Sequence, residues 1–243
     1  MKKINTNNGE SLFLEEYGET VNPMMGAIDF AYKNYIEPVE LKEGMKILDI
    51  GFGLGYNSAC AVSKVNRLRI VGLEKDRKII NKIQTIKVPE DFEDSYFIIR
   101  EAAGNLSFRD GSYDINILTG DARKTILTLN EKFDIVFLDG FSTLKSPEIY
   151  TLDFLNEVKK RINESGTLIT FNSSPIIRAA LLQSGFKIKS FETGKNTKGT
   201  LASLNKDYDL DGEELRFVKA FGAILRDENL KNKREDIVVG LLI

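Results

Sequence analysis

An α/β fold on a mostly parallel sheet, closing with an antiparallel C-terminal strand, is what this sequence predicts. Three observations carry that expectation. Short β-rich runs alternate with helical patterns through the middle of the chain. A glycine turn, Gly51 to Gly55, sits between the first such run and the first helix. Towards the end, two β-rich runs follow one another with no room for a helix between them.

Taken in order, residues 1–40 read as a lead-in with a helix over Met25–Tyr35. Residues 41–206 read as the core, and 207–243 as a charged tail that packs on it, ending in the apolar run Ile237–Ile243. Within the core, Lys46–Ile50, Arg69–Glu74, Asp114–Leu118, Phe133–Leu138 and Thr167–Phe171 are the strand candidates. Helices are expected over Tyr56–Lys64, from Asp76, and over Ala122–Leu129, Glu148–Ile162 and Pro175–Gln183. The last of these starts clearly, with Ser174 as cap and Pro175 in the first helical position. Alternation of this kind implies right-handed crossovers and a sheet covered on both faces. Phe186–Phe191 and Gly199–Ser203 then form the closing antiparallel pair. Pro89–Asp110 gives no clear pattern.

Composition narrows the chemistry. The chain has 243 residues, 42% of them hydrophobic, enough for one sizeable α/β domain. Its single cysteine rules out a disulfide framework or cysteine-based zinc site and points to a reducing, cytoplasmic setting. Histidine is absent, so histidine bases and zinc–histidine sites are excluded and proton chemistry falls to carboxylates, Lys, Tyr or backbone. No apolar run approaches the roughly 20 residues of a membrane span, and the start MKKINTNNGE lacks a signal-peptide core. A net charge of −2 carries no global nucleic-acid signature, leaving room only for a local basic patch.

The stretch LDIGFGLGYN, Leu48 to Asn57, places Asp49 at the end of the first strand and Gly51, Gly53 and Gly55 in the turn. Glycines there let the backbone turn tightly and approach a ligand. Glu74 closes the second strand about twenty residues on, where a carboxylate can take both hydroxyls of a ribose. Dinucleotides and S-adenosylmethionine both fit such a pair of features. The dinucleotide fingerprint wants glycine at position 56, so that pyrophosphate can sit on the helix start, and this chain has Tyr56. Asp49 is poor company for pyrophosphate and a good partner for the ammonium of an amino acid, which favours S-adenosylmethionine. Gly120-Asp121-Ala122 follows the third strand; Asp121 fits an acceptor for an adenine amine and equally a helix cap. Asp139 ends the fourth strand. Asp49, Glu74, Asp121 and Asp139 thus share the carboxyl edge of the sheet, where open α/β sheets bind ligands. Four carboxylates on one rim exceed what strand-end solvation requires.

LDIGFGLGYN, FDIVFLDGFSTLKSPEIYT, GTLITFNSSPIIRAALLQSGFKI and the lead-in EEYGETVNP together resemble the methyltransferase half of the MnmC family, which modifies wobble uridines of tRNA. The tail GAILRDENLKNKREDIV resembles the ending of stand-alone, single-domain (MnmD-like) members. The resemblance implies a class I, Rossmann-like methyltransferase sheet that uses S-adenosylmethionine to methylate the 5-aminomethyl group of a (thio)uridine. It also implies that the FAD-dependent oxidase domain of the bifunctional enzymes is missing from this chain. Asp139 is then the catalytic carboxylate. Asp49, Gly51, Gly53, Gly55, Asn57, Glu74, Asp121 and Ala122 hold the cofactor, and Tyr17 and Glu19 fold over its pocket. Phe141, Lys145 and Pro147 shape the acceptor side, and no metal is needed. For tRNA, the local basic patch expected is Arg178, Lys187, Lys189, Lys195 and Lys198, with Arg123 and Lys124 nearby.

Two other classes share parts of this pattern. A polyamine-type aminopropyltransferase also has a glycine loop, an acidic second strand and an acidic fourth strand, but the Gly-Phe and Lys-x-Pro-Glu run after Asp139 fits the tRNA enzymes better. A non-catalytic nicotinamide-binding module is disfavoured by Tyr56.

Overall fold

The structure is a computed structural model that describes residues 1–194 and 197–239. The chain divides into two compact units, Met1–Asp121 and Ala122–Ile243.

The first unit opens with strands Lys2–Asn5 (β1), Glu10–Leu14 (β2) and Glu19–Thr20 (β3), which form a small antiparallel sheet. The sequence expects a helix over Met25–Tyr35 in the lead-in and gives no sign of this sheet. The helix is present but short, Ala27–Ala31 (α1), followed by a wider turn over Tyr32–Ile36. Next come Lys46–Ile50 (β4), Tyr56–Lys64 (α2), Leu68–Glu74 (β5) and Arg77–Lys82 (α3), whose cap Asp76 accepts from the Lys78 amide at 2.8 Å. The patternless stretch Pro89–Asp110 holds the helix Glu93–Asn105 (α4) and the strand Ser107–Arg109 (β6) before Tyr113–Thr119 (β7). The larger strands neighbour one another in the order β4-β5-β7-β6, parallel except for β6. Register pairs Ile50 with Leu73 and Glu74 with Thr119, so these strand ends lie on one edge.

The second unit begins with Ala122–Thr125 (α5) and continues through Phe133–Leu138 (β8), Leu152–Lys160 (α6), Ile162–Thr170 (β9) and Pro175–Gln183 (α7). Lys187–Gly194 (β10), Thr197–Ser203 (β11), Gly212–Phe221 (α8) and Arg234–Val239 (α9) complete it. Strand order is β10-β11-β9-β8, with β8 and β9 parallel and β10 and β11 forming the expected antiparallel end. The helix expected over Glu148–Ile162 is interrupted: Pro147–Tyr150 make a separate 3-10 turn. Thr151 then caps α6 by accepting from the Phe154 amide at 3.2 Å. Residues 240–243 of the expected apolar ending lie outside the described residues.

Strands buried on both faces explain the apolar runs. Ile135 to Leu138 of β8 and Ile47 to Ile50 of β4 are all buried, Asp49 included. The tail of the second unit is held by charge. Asp227 is fully buried and accepts from Arg123 Nη1 at 2.6 Å and from the amides of Lys231 and Asn232 at 3.0 Å. Nearby, Arg226 donates twice to Asp153, at 3.0 and 3.1 Å. Removing one partner of a buried pair strands the other charge. Asp227→Ala is therefore expected to lower stability by roughly 3–5 kcal/mol in urea unfolding.

Candidate active site

In the first unit the glycine turn is a braced loop. Gly51, Gly53 and Gly55 adopt positive φ angles of 84°, 56° and 75°. The amides of Gly51 and Phe52 both donate to the Leu73 carbonyl at 3.0 Å, and Gly55 donates to Phe52 at 2.8 Å. Phe52 is buried against Gly72 of β5, where a Cβ would lie 2.4 Å from its ring. Gly55 has no room for a side chain either: a Cβ there would meet Ile99 of α4 at 2.6 Å. Tyr96 of α4 fastens the same loop by donating to the Leu54 carbonyl at 2.9 Å.

Glu74 sits at the centre. One carboxylate oxygen accepts from the Gly53 amide and the other from the Asp76 amide, each at 2.8 Å. Its own carbonyl accepts from Gly120 at 2.9 Å, which joins the end of β7 just before Asp121. Burial pushes the Glu74 carboxyl above the usual glutamate range, with the amides of Asp76 and Gly53 opposing. Protonation of Glu74 is thus more favourable in the fold than in the unfolded chain; that contribution to stability is complete at low pH and fades as pH rises through the raised value.

Asp49 was expected to face a ligand. It is fully buried, and one oxygen accepts from Ser58 Oγ of α2 at 2.7 Å, so in this structure it braces strand to helix. Asn57, next to Ser58 in sequence, is buried on the first turn of α2. Tyr56, which stands where a dinucleotide site wants glycine, is buried and donates to the Glu10 carbonyl of β2 at 2.6 Å. The lead-in thereby packs on the loop, and Val21 comes within 3.0 Å of a Cβ placed on Gly53. Tyr17 and Glu19 are half-buried, Glu19 in β3 paired with Leu14.

In the second unit, Ala122 opens α5 and is half-buried. Asp139 follows β8 directly, half-buried, with Phe141 and Lys145 also partly exposed. The loop is cinched from below. A Cβ on Gly140 would lie 2.2 Å from Ile149, and Tyr150 donates to the Phe141 carbonyl at 3.1 Å. Pro147 is buried at the start of the 3-10 turn, in a packing position.

The basic patch needs correction. Arg178 is buried and donates to Thr200, Ser190, the Gly199 carbonyl and Glu214, so it is committed inside the unit. Arg123 is likewise buried on Asp227. Lys198 pairs with Glu214 at 3.2 Å, and Lys189 lies 4.5 Å from the Tyr208 ring centre. Lys124 and Lys187 are exposed, and Lys195 lies outside the described residues. Sequence reasoning missed Ser58, Phe52, Val21 and Tyr96 as supports of the loop. Gly72 inside an apolar strand was the available signal for Phe52.

A family model described as S-adenosyl-L-methionine-dependent methyltransferase matches residues 84–205, half of the chain. The chain belongs to this family. As a methyltransferase it also matches, over residues 17–129, a model described as protein-L-isoaspartate(D-aspartate) O-methyltransferase. The crystal structure of MNMC2 from Aquifex aeolicus is similar over 99% of this chain and 83% of its own, with a TM-score of 0.90 and 32% identity. The tRNA 5-methylaminomethyl-2-thiouridine biosynthesis bifunctional protein MnmC of Pseudomonas savastanoi is 30% identical over 62% of this chain and 25% of its own length. An uncharacterized protein, MJ0670 of Methanocaldococcus jannaschii, is 27% identical over 94% of this chain and 67% of its own. The methyltransferase thus spans about a quarter of that bifunctional relative. Among the described residues, no helix is long and apolar enough to cross a membrane.

The residues present fit S-adenosylmethionine. Glu74 closes β5 with its carboxylate oxygens on the amides of Gly53 and Asp76, at the strand end where a carboxylate can take a vicinal diol. The positive φ angles of Gly51, Gly53 and Gly55 give the turn a shape in which backbone can approach a cofactor. Gly55→Ala is expected to break this turn, through its φ of 75° and the clash with Ile99. A loss of roughly 1–3 kcal/mol in urea unfolding, with weaker cofactor binding in calorimetry, is the expected outcome.

Proposed function

We propose that this methyltransferase acts on the 5-aminomethyl group of a wobble (2-thio)uridine in tRNA, giving the 5-methylaminomethyl form. The observation that carries the proposal is whole-chain likeness to MNMC2 at 32% identity, joined to relatives named for that tRNA modification. The family match runs through Asp139 to Pro147, the loop that would meet the acceptor.

When bound, S-adenosylmethionine supplies an electrophilic sulfonium methyl; the amine lone pair forms the new N–C bond and the C–S pair leaves with sulfur. The chain's own part is positioning and electrostatics. Asp139 hydrogen-bonds the amine, directs its lone pair, and meets the positive charge that develops on nitrogen as the bond forms. That charge appears only along the reaction, so the carboxylate favours the transition state over the bound substrate. Holding amine and methyl within roughly 3–3.5 Å, in line, accounts for much of the remaining acceleration. Glu74 holds the ribose, and Asp49 and Ser58 keep the glycine turn in register with α2. Tyr17 and Glu19 cover the cofactor, and Phe141 and Lys145 shape the acceptor side.

Asp139→Asn should keep cofactor affinity in calorimetry and lose at least about a hundredfold in single-turnover rate, some 2.7 kcal/mol. Turnover near that of the natural protein would remove Asp139 from the mechanism. A ribose diol needs ionised Glu74, so cofactor affinity should be low in acid and rise with pH through the raised value of that group. Calorimetry at a series of pH values upward from the ordinary glutamate range checks this, with net proton release on binding at the acid end. Nucleoside mass spectrometry decides the acceptor, on tRNA from a strain lacking the gene, before and after adding protein and cofactor. An unchanged wobble uridine would overturn the assigned substrate. An aminopropyl product with decarboxylated cofactor would favour the polyamine-type reaction.

A further inference from the structure

Helix α8 shows solvent an aromatic pair that neither the core nor the proposed chemistry uses. Phe217 and Phe221 are 53% and 64% exposed, with ring centres 4.8 Å apart and planes at 49°. Four residues apart, they share one side of the helix, while Val218 is buried. Exposed phenylalanines of this size invite an occupant.

The helix that carries them is firmly fixed. Asp211 caps it, accepting from the amides of Glu213 and Glu214 at 3.0 and 2.7 Å. Glu214 accepts from Ser190 at 2.6 Å, Lys198 at 3.2 Å and Arg178 at 3.3 Å. Burial alone would raise its carboxyl, but these donors hold it below the usual range. At the other end, a Cβ on Gly222 would lie 2.6 Å from Ala179 and 3.0 Å from the Pro175 carbonyl. Pro175 opens α7 shortly after β9, and β8 runs parallel to β9 with Phe137 beside Ile169. The C-terminal end of α8 therefore packs at the same strand edge from which Asp139 leaves β8, within one unit.

We infer that Phe217 and Phe221 form a stacking platform for unpaired bases of the RNA that presents the acceptor amine. The inference rests on the tRNA assignment above. Every nucleobase has a flat π face, so two adjacent rings accept bases without regard to sequence. Arg216 and Lys219 on the same helix are exposed but turned round it from the pair, so phosphates reach them only where the strand wraps the helix, and Glu213 is the charge on the pair's own side. A net charge of −2 gives no global attraction for phosphates, so RNA affinity has to come from local contacts such as this pair. A second copy is a poorer occupant. Two partly exposed phenylalanines offer on the order of 250 Å², far below the roughly 800 Å² per partner of a stable interface.

The test is anisotropy titration of a labelled, unmodified anticodon stem-loop with the full chain and S-adenosylhomocysteine. The Phe217→Ala/Phe221→Ala variant should bind at least about tenfold more weakly, and Phe217→Tyr/Phe221→Trp should restore binding. The loss should be equal at low and high salt, whereas Arg216→Gln/Lys219→Gln should flatten the salt dependence. Cofactor calorimetry on each variant reports that it is folded. Equal RNA affinity of the alanine variant and the natural protein overturns the inference and leaves tRNA methylation standing. A change in self-association by light scattering, with RNA affinity intact, overturns it in favour of a second copy. A natural protein that methylates a small amine but neither binds nor modifies RNA sinks the tRNA assignment, and the platform with it.

Discussion

A carboxylate buried at the end of a parallel strand must replace its lost water with fixed donors, and Glu74 does so with backbone amides, among them two at 2.8 Å. Those amides belong to Gly53 in the glycine turn and Asp76 at the start of α3, while its carbonyl takes the Gly120 amide at the end of β7. Loop, helix start and strand end converge on one residue. The turn can adopt this form only because glycines tolerate the positive φ angles that aim the Gly53 amide inwards. Phe52, Ile99 and Tyr96 then fill and fasten its outer side. Carboxylate and loop each hold the other in place.

The second unit solves a related problem by packing. A half-buried acid at the end of β8 needs a loop that holds still, and the loop has little secondary structure of its own. Gly140 lets Ile149 press against the backbone, Tyr150 ties the Phe141 carbonyl, and Thr151 starts α6 afresh. Buried ion pairs do the same for the tail. Arg123 with Asp227 and Arg178 with Glu214 hold segments that no hydrophobic stripe would hold alone. Such pairs specify position more than they add stability.

Much of the frame could be read from residue order. Lys46–Ile50, Tyr56–Lys64, Phe133–Leu138 and Pro175–Gln183 have the expected bounds, because strand burial, helix period and the Ser174–Pro175 cap are local signals. The lead-in sheet and α4 were illegible. β1 to β3 are short, and β3 has only two residues. In α4 the buried Tyr96 and Ile99 are joined in sequence by an exposed Phe97 and a half-buried Ile98, which blur its apolar side. Burial of Asp49 was equally hidden, since its partner Ser58 is an ordinary helix residue in sequence.

The sequence by itself determined which strand ends carry Asp49, Glu74, Asp121 and Asp139, since strand period and turn chemistry act over a few residues. It also determined that dinucleotide geometry is disfavoured, through Tyr56. Tertiary structure alone decided which charges are available. Arg123 meets an aspartate 104 residues away, and Arg178 meets a glutamate 36 away. No local pattern marks such partners, so a basic side chain that looks free in the sequence is free only if the fold leaves it so.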